Sequence, residues 1–113
     1  MLNFKRLTRL YMYDNCITKM ENLESLVNLQ KLYLEKNMIR RLEGLQNCQR
    51  LEELTLHDQR LPRTATFTFD EYSLAAIAGS LYTLNLSNNQ IIECKSLYYC
   101  DRLDHLNLSG NWI

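Results

Sequence analysis

Apolar residues recur along the chain in two interleaved rhythms. Five segments share one pattern: leucine, two residues, leucine, one residue, an apolar residue, two residues, an amide, one residue and a final apolar residue. They are Leu7-Leu10-Met12-Asn15-Ile17, Leu29-Leu32-Leu34-Asn37-Ile39, Leu51-Leu54-Leu56-Gln59-Leu61, Leu81-Leu84-Leu86-Asn89-Ile91 and Leu103-Leu106-Leu108-Asn111-Ile113. Their first leucines stand 22, 22, 30 and 22 residues apart. Inside each segment, triplets such as Leu10-Tyr11-Met12, Leu32-Tyr33-Leu34 and Leu54-Thr55-Leu56 alternate with period two. That predicts a short strand whose outer residues point into a core while the middle one faces out. A second rhythm fills the rest of each turn: Met20-Leu23-Leu26, Leu42-Leu45-Cys48 and Cys94-Leu97-Cys100. It predicts an apolar back wall of short helical or 3-10 segments.

This formula resembles the leucine-rich repeat, in which a strand and a helical or 3-10 segment make one turn of a solenoid. A turn of about 22 residues has no core of its own, so its leucines must be buried against the turns on either side. The expected fold is an α/β leucine-rich repeat solenoid, a single domain over residues 1–113, with a parallel sheet on the concave face and short helical segments on the convex face. The column Asn15, Asn37, Asn89 and Asn111 sits where the chain turns inward. A buried amide there can bond backbone groups that the turn leaves unpaired. Gln59 takes that place in the third turn. The same turn is longer than the others, with an insertion over residues 62–79. Asp70 is placed to cap a helix through Glu71, Leu74, Ile77 and Ala78. Phe67 and Phe69 either pack beneath this insertion or project from it toward a partner. Solenoids carry polar caps on their terminal turns. With only residues 1–4 ahead of the first turn and Ile113 halfway through the fifth, the chain is expected to be part of a longer protein.

Charge narrows the partners. Lysine plus arginine equals aspartate plus glutamate at 13 each, so no broad positive field draws the chain to nucleic acid or to an anionic membrane. No apolar run approaches the ~20 residues that span a bilayer, and residues 1–20 lack the apolar segment of a signal peptide. A soluble intracellular protein is expected. Cys16, Cys48, Cys94 and Cys100 are too scattered for a disulfide scaffold, and no pair has zinc-ligand spacing. Cys48, Cys94 and Cys100 fall in apolar columns, where a free thiol acts as a small hydrophobe. Cys16 lies outside that register. His57 beside Asp58 is a catalytic-looking pair, yet both occupy solvent-facing positions with no nucleophile turn nearby. No catalytic residue, metal or cofactor is expected.

The outward strand positions form three columns: Arg9, Lys31, Glu53, Thr83, His105; then Tyr11, Tyr33, Thr55, Asn85, Asn107; then Tyr13, Glu35, His57, Ser87, Ser109. Tyr11, Tyr13 and Tyr33 gather toward the N-terminal end. Tyrosine offers large contact area with little rotamer entropy to lose and so favours interfaces. The plain reading is stacked aromatics on an idle face. The sharper reading takes Arg9, Tyr11, Tyr13, Lys31, Tyr33, Glu35, Glu53, His57 and Asn85 as a protein-binding face. Its mixed charge suits a protein partner.

Three stretches carry a closer likeness: the octapeptide from Leu10 to Ile17, then Gln59-Arg60-Leu61-Pro62, then Phe69-Asp70 followed by the run from Leu81 to Asn89. With the oversized third turn, they resemble the leucine-rich repeats of protein phosphatase 1 regulators and of ciliary proteins. The resemblance implies a scaffold for the phosphatase catalytic subunit, cytoplasmic and cytoskeletal, at microtubules, the centrosome or a cilium or flagellum. The alternative it implies is a structural axonemal protein that docks tubulin or neighbouring assembly proteins.

Overall fold

The computed structural model describes residues 4–113. Seven short strands appear in chain order: β1 (Arg9–Tyr11), β2 (Lys31–Tyr33), β3 (Arg41–Leu42), β4 (Glu53–Thr55), β5 (Thr68–Phe69), β6 (Thr83–Asn85) and β7 (His105–Asn107). β1, β2, β4, β6 and β7 form one parallel sheet in that order. Its register places Leu10, Leu32, Leu54, Leu84 and Leu106 in one row. Leu32, Leu54 and Leu84 are buried, as are Leu29, Leu51 and Leu81 that open their turns. This is the parallel-sheet solenoid that the period predicts.

Successive turns are joined by more than the sheet. The Asn37 side chain accepts from the backbone N–H groups of Asn15 and Ile17 in the preceding turn, both at 3.1 Å, and donates to the carbonyls of Met12 at 3.0 Å and Leu34 at 2.9 Å. Asn111 does the same for Asn89 and Ile91, at 2.9 and 3.0 Å. Gln59 takes the N–H of Ile39 at 2.8 Å, and Asn89 takes that of Gln59 at 2.9 Å. Asn37, Gln59 and Asn89 are buried. Asn111 is half-buried, and Asn15, expected to be a buried amide, is exposed. Asn15 has no earlier described turn to bond and turns to its own carbonyls, Met12 and Tyr13. The residue before each ladder amide lies in the left-handed region: Asp14, Lys36, Asp58, Asn88 and Gly110 have φ between 57 and 69°. Only Gly110 is free of the Cβ penalty there.

The back wall departs from expectation. Helical segments were predicted throughout, but among the described residues only α1 (Glu71–Ile77) and a 3-10 segment, Lys95–Tyr99, are helical. The corresponding stretches around Leu23 and Leu45 are turns. The third turn has room for a helix because it is longer, and Asp70 caps it by accepting from the Ser73 N–H at 3.2 Å. A parallel pair of β3 with β5 was not foreseen. Phe67 is buried and Phe69 partly buried, edge to face at 5.6 Å, so both rings pack beneath the insertion.

Asn37→Ala would leave the Asn15 and Ile17 N–H groups without their acceptor at a part-buried corner, while the Met12 and Leu34 carbonyls keep Asn15 and Gln59 as donors. We expect a loss of about 2–4 kcal/mol, given ~1–3 kcal/mol for an orphaned buried polar group. Asn15→Ala should cost under about 1 kcal/mol by the same principle, because water can replace its bonds. Urea unfolding of both variants checks this, and equal midpoints would show that the ladder does not hold the turns together.

Candidate functional site

The columns that face outward from the sheet share its register, pairing Arg9 with Lys31 and Glu53, and Tyr11 with Tyr33 and Thr55. Tyr11 and Tyr33 stack with ring centres 4.8 Å apart and planes 5° from parallel. That separation is the spacing of neighbouring strands, so the backbone itself sets the stack. The Tyr33 hydroxyl donates to Glu53 Oε2 at 2.5 Å, and Lys31 Nζ lies 3.7 Å from the same oxygen. Thr55 Oγ1 donates to Glu35 Oε1 at 2.6 Å. Lys31, Tyr33 and Glu53 thus form one half-buried set and Glu35 with Thr55 a second, both bridging from β2 to β4. Arg9 and Tyr11 border the first set and are exposed, and no described residue forms an ion pair with Arg9.

Other candidates lie elsewhere. Tyr13 is exposed but takes part in no ring contact among the described residues, so the predicted cluster of three is a pair. His57 and Asp58 are half-buried, not fully solvent-facing, because each leans on a neighbour. Their side chains meet at 2.6 Å, and Asn88 Nδ2 donates to Asp58 Oδ1 at 2.9 Å. Asn85 Oδ1 accepts from the Ser87 N–H and hydroxyl at 3.1 and 2.9 Å. It is tied into its own strand end.

Burial and the Glu53 carboxylate hold the Tyr33 phenol up at about 12, from an ordinary 10.0. The exposed Tyr82 phenol is also raised, by its hydrogen bond to Asp104. Burial pushes the Cys48 thiol up to about 11 and raises Cys100 as well, which leaves both poor nucleophiles. All four cysteines are free, and Cys16 is exposed. Among the described residues no three of His, Cys, Asp and Glu converge as metal ligands would. Nor is any helix long and apolar enough to cross a membrane.

Two residues escaped the sequence reading. Arg60 spans three turns: Nη1 donates to Asp14 Oδ1 at 3.3 Å, and Nη2 donates to the carbonyls of Asn15 at 2.7 Å and Lys36 at 2.6 Å. Tyr82 meets His105 edge to face at 5.6 Å. Arg60 lies in a motif that stood out by resemblance, but its reach back over two turns has no signature in local spacing.

A parallel leucine-stacked sheet with an amide ladder and an outward face of mixed side chains defines a class, and comparison with known proteins agrees. Residues 5–47 match the family described as Leucine Rich repeats (2 copies), and residues 80–100 match Leucine Rich Repeat. The chain belongs to the leucine-rich repeat proteins. Among solved structures it is similar to internalin C2 of Listeria monocytogenes, with TM-score 0.75 and 28% identity over 92% of this chain. The chain spans 42% of that protein's length.

Tyr33 holds its proton more tightly folded than unfolded. Its bond to Glu53 therefore stabilises fully below about pH 10 and is lost as pH rises toward about 12. Tyr33→Phe should remove the ultraviolet ionisation step nearest pH 12 and flatten the decline in stability between about pH 10 and about pH 12. An unchanged titration curve would place the high-pKa phenol elsewhere.

Proposed function

We propose that this chain is a non-catalytic protein-binding scaffold that uses the N-terminal half of its concave face. Leucine-rich repeats typically serve as interaction modules. The observation that carries the reading here is the Tyr11–Tyr33 stack, an apolar double ring held rigid by Glu53 and bordered by Arg9 and Lys31. Rigid tyrosines supply contact area at low entropic cost, and charged neighbours select the partner.

For the partner we propose the catalytic subunit of protein phosphatase 1, with the chain acting as a targeting subunit at microtubules, the centrosome or a cilium. Support comes from the likeness of the stretches around Leu10–Ile17, Gln59–Pro62 and Leu81–Asn89 to protein phosphatase 1 regulatory subunit 42.

Affinity capture from a ciliated cell, read by mass spectrometry, should recover the phosphatase catalytic subunit. Replacing Tyr11 and Tyr33 together by Ala should weaken that binding by roughly 1–3 kcal/mol while leaving the stack folded. Recovery of tubulin and axonemal proteins alone would make the chain a structural adaptor. Undiminished binding by the double variant would move the site off this face.

A further inference from the structure

The second and third turns lie between described turns, so the flank on which they climb from strand to back wall sits in the interior of the stack. On that flank Lys36, Met38 and Arg40 are exposed and alternate with the buried Asn37 and Ile39. Arg60 lies alongside: its N–H donates to the Asn37 carbonyl at 2.7 Å, and its guanidinium rests on the Lys36 carbonyl at 2.6 Å. Residues 62–65 then form a tight turn, closed by the Ala65 N–H on the Pro62 carbonyl at 3.0 Å. Gln90 donates to the same Pro62 carbonyl and to that of Ala65, which leaves Arg63 and Thr64 as the exposed tip. From there the chain returns past Arg40, whose carbonyl accepts from the Thr68 N–H at 2.9 Å. The acids of this flank are already engaged: Asp14 by Arg60, Asp58 by His57 and Asp70 by Arg41. Lys36, Arg40 and Arg63 form no ion pair with any described residue. A chain of zero formal net charge thus gathers uncompensated cations around Met38 and Pro62.

We propose that this flank is a second binding surface, and that its occupant is an acidic peptide segment of a partner protein with apolar side chains between its carboxylates. Charge complementarity selects the sign: the free cations take carboxylates, and the guanidinium forks of Arg40 and Arg63 fit them with two parallel hydrogen bonds each. Met38, 39% exposed between Lys36 and Arg40, supplies the apolar contact, and methionine with arginine is the composition that interfaces favour. The surface is also set in advance. Gln90 holds the Arg63 turn and the β3–β5 pairing holds the backbone at Arg40, so binding orders side chains and little else. A nucleic acid fits less well, because its evenly charged backbone would meet Asp14, Asp58 and Asp70 among the cations, whereas a peptide can place its carboxylates between them. The inference goes beyond the concave-face reading, since Arg9, Tyr11, Lys31 and Tyr33 take no part in it.

The test uses the full chain and a fluorescein-labelled peptide of glutamate, leucine and glutamate repeated in tandem, followed by fluorescence polarisation. Saturable binding is expected, weakened about tenfold or more when glutamine replaces every glutamate. Added salt should weaken it progressively, as screening requires. Replacing Arg40 and Arg63 together by glutamate should cost a similar factor, and a peptide with lysine in place of glutamate should then bind this variant better than it binds the unaltered chain. Circular dichroism checks the fold, and Arg63→Ala alone, at the exposed turn tip, should shift affinity in the same direction. No saturation, equal binding of the glutamine peptide, or undiminished binding by the charge-reversed variant overturns the proposal. A labelled single-stranded DNA that binds more tightly than the peptide and displaces it also overturns it, since the flank would then read phosphates. The variant with both Tyr11→Ala and Tyr33→Ala separates the two readings. Peptide affinity should be unchanged in it, and a fall would put the peptide on the concave face and end the flank proposal. If partner capture falls in that variant while the peptide never binds the unaltered chain, the flank proposal fails and the concave face stands.

Discussion

The amide of one turn bonding the backbone of the turn before it is the constraint on which the structure depends. A solenoid must bend inward at the end of every strand, and the bend buries N–H groups that no strand partner reaches. Left unpaired, such groups cost on the order of 1–3 kcal/mol each. Asn37 meets two of them in the first turn and Asn111 two in the fourth, while each also donates to carbonyls of its own turn and the preceding one. Each of the first four turns therefore has at least one such N–H group bonded by the amide of its successor. This reciprocity explains a constant repeat length: one residue more or fewer would move the amide away from the N–H groups it must meet and turn the leucine row over to solvent.

The third turn shows how the ladder tolerates an insertion. Gln59 reaches the Ile39 N–H with an extra methylene. The Leu61 N–H, at the position that elsewhere would bond the next amide, turns back to the carbonyl of Gln59 at 3.1 Å. Pro62 then carries the chain out of the repeat path. It returns through β5 beside β3, and Ser73 on α1 accepts the buried Leu45 N–H at 3.0 Å. Gln90 of the fourth turn holds the insertion by donating to the Pro62 and Ala65 carbonyls. Asn89 can still take the Gln59 N–H, so the ladder resumes beyond the detour. The Gln-Arg-Leu-Pro motif thus has a physical meaning in which each polar member has a bonding task and proline redirects the chain.

What could be read in advance follows from what a sequence encodes locally. Period two set the strands and period 22 set their register, so Leu10 through Leu106 and the columns of Arg9 and Tyr11 could be aligned without coordinates. Asp70 was legible as a cap because its bond spans three residues. The alternation of Thr66, Phe67, Thr68 and Phe69 has the period of a strand, but β5 is two residues long and ends at the helix cap Asp70, too short for periodicity to set it apart from a loop. The bonds that shape the candidate site join residues about 20 positions apart, as Tyr33 with Glu53 and Glu35 with Thr55. Their geometry depends on rotamers across strands, which no local pattern reports. For the same reason Tyr13, one column on, could not be told apart from the pair it was expected to join.

The two halves of the outward face differ in what a partner would meet. Toward the C-terminal end, Asn85 and Asn107 spend their side-chain oxygens on Ser87 and Ser109. These short polar loops are satisfied within their own strand ends and offer little apolar area. Toward the N-terminal end, the same kind of internal bonding is used differently: Glu53 and Glu35 are held by Tyr33 and Thr55, which leaves ring faces as the exposed surface. Covering a ring removes apolar area from water at about 25 cal/mol per Å², whereas covering a satisfied amide gains nothing comparable. Ordering costs are small too, because a tyrosine fixed by a carboxylate and a neighbouring ring has no rotamers left to lose. The asymmetry of the face therefore follows from which side chains the hydrogen bonds consume.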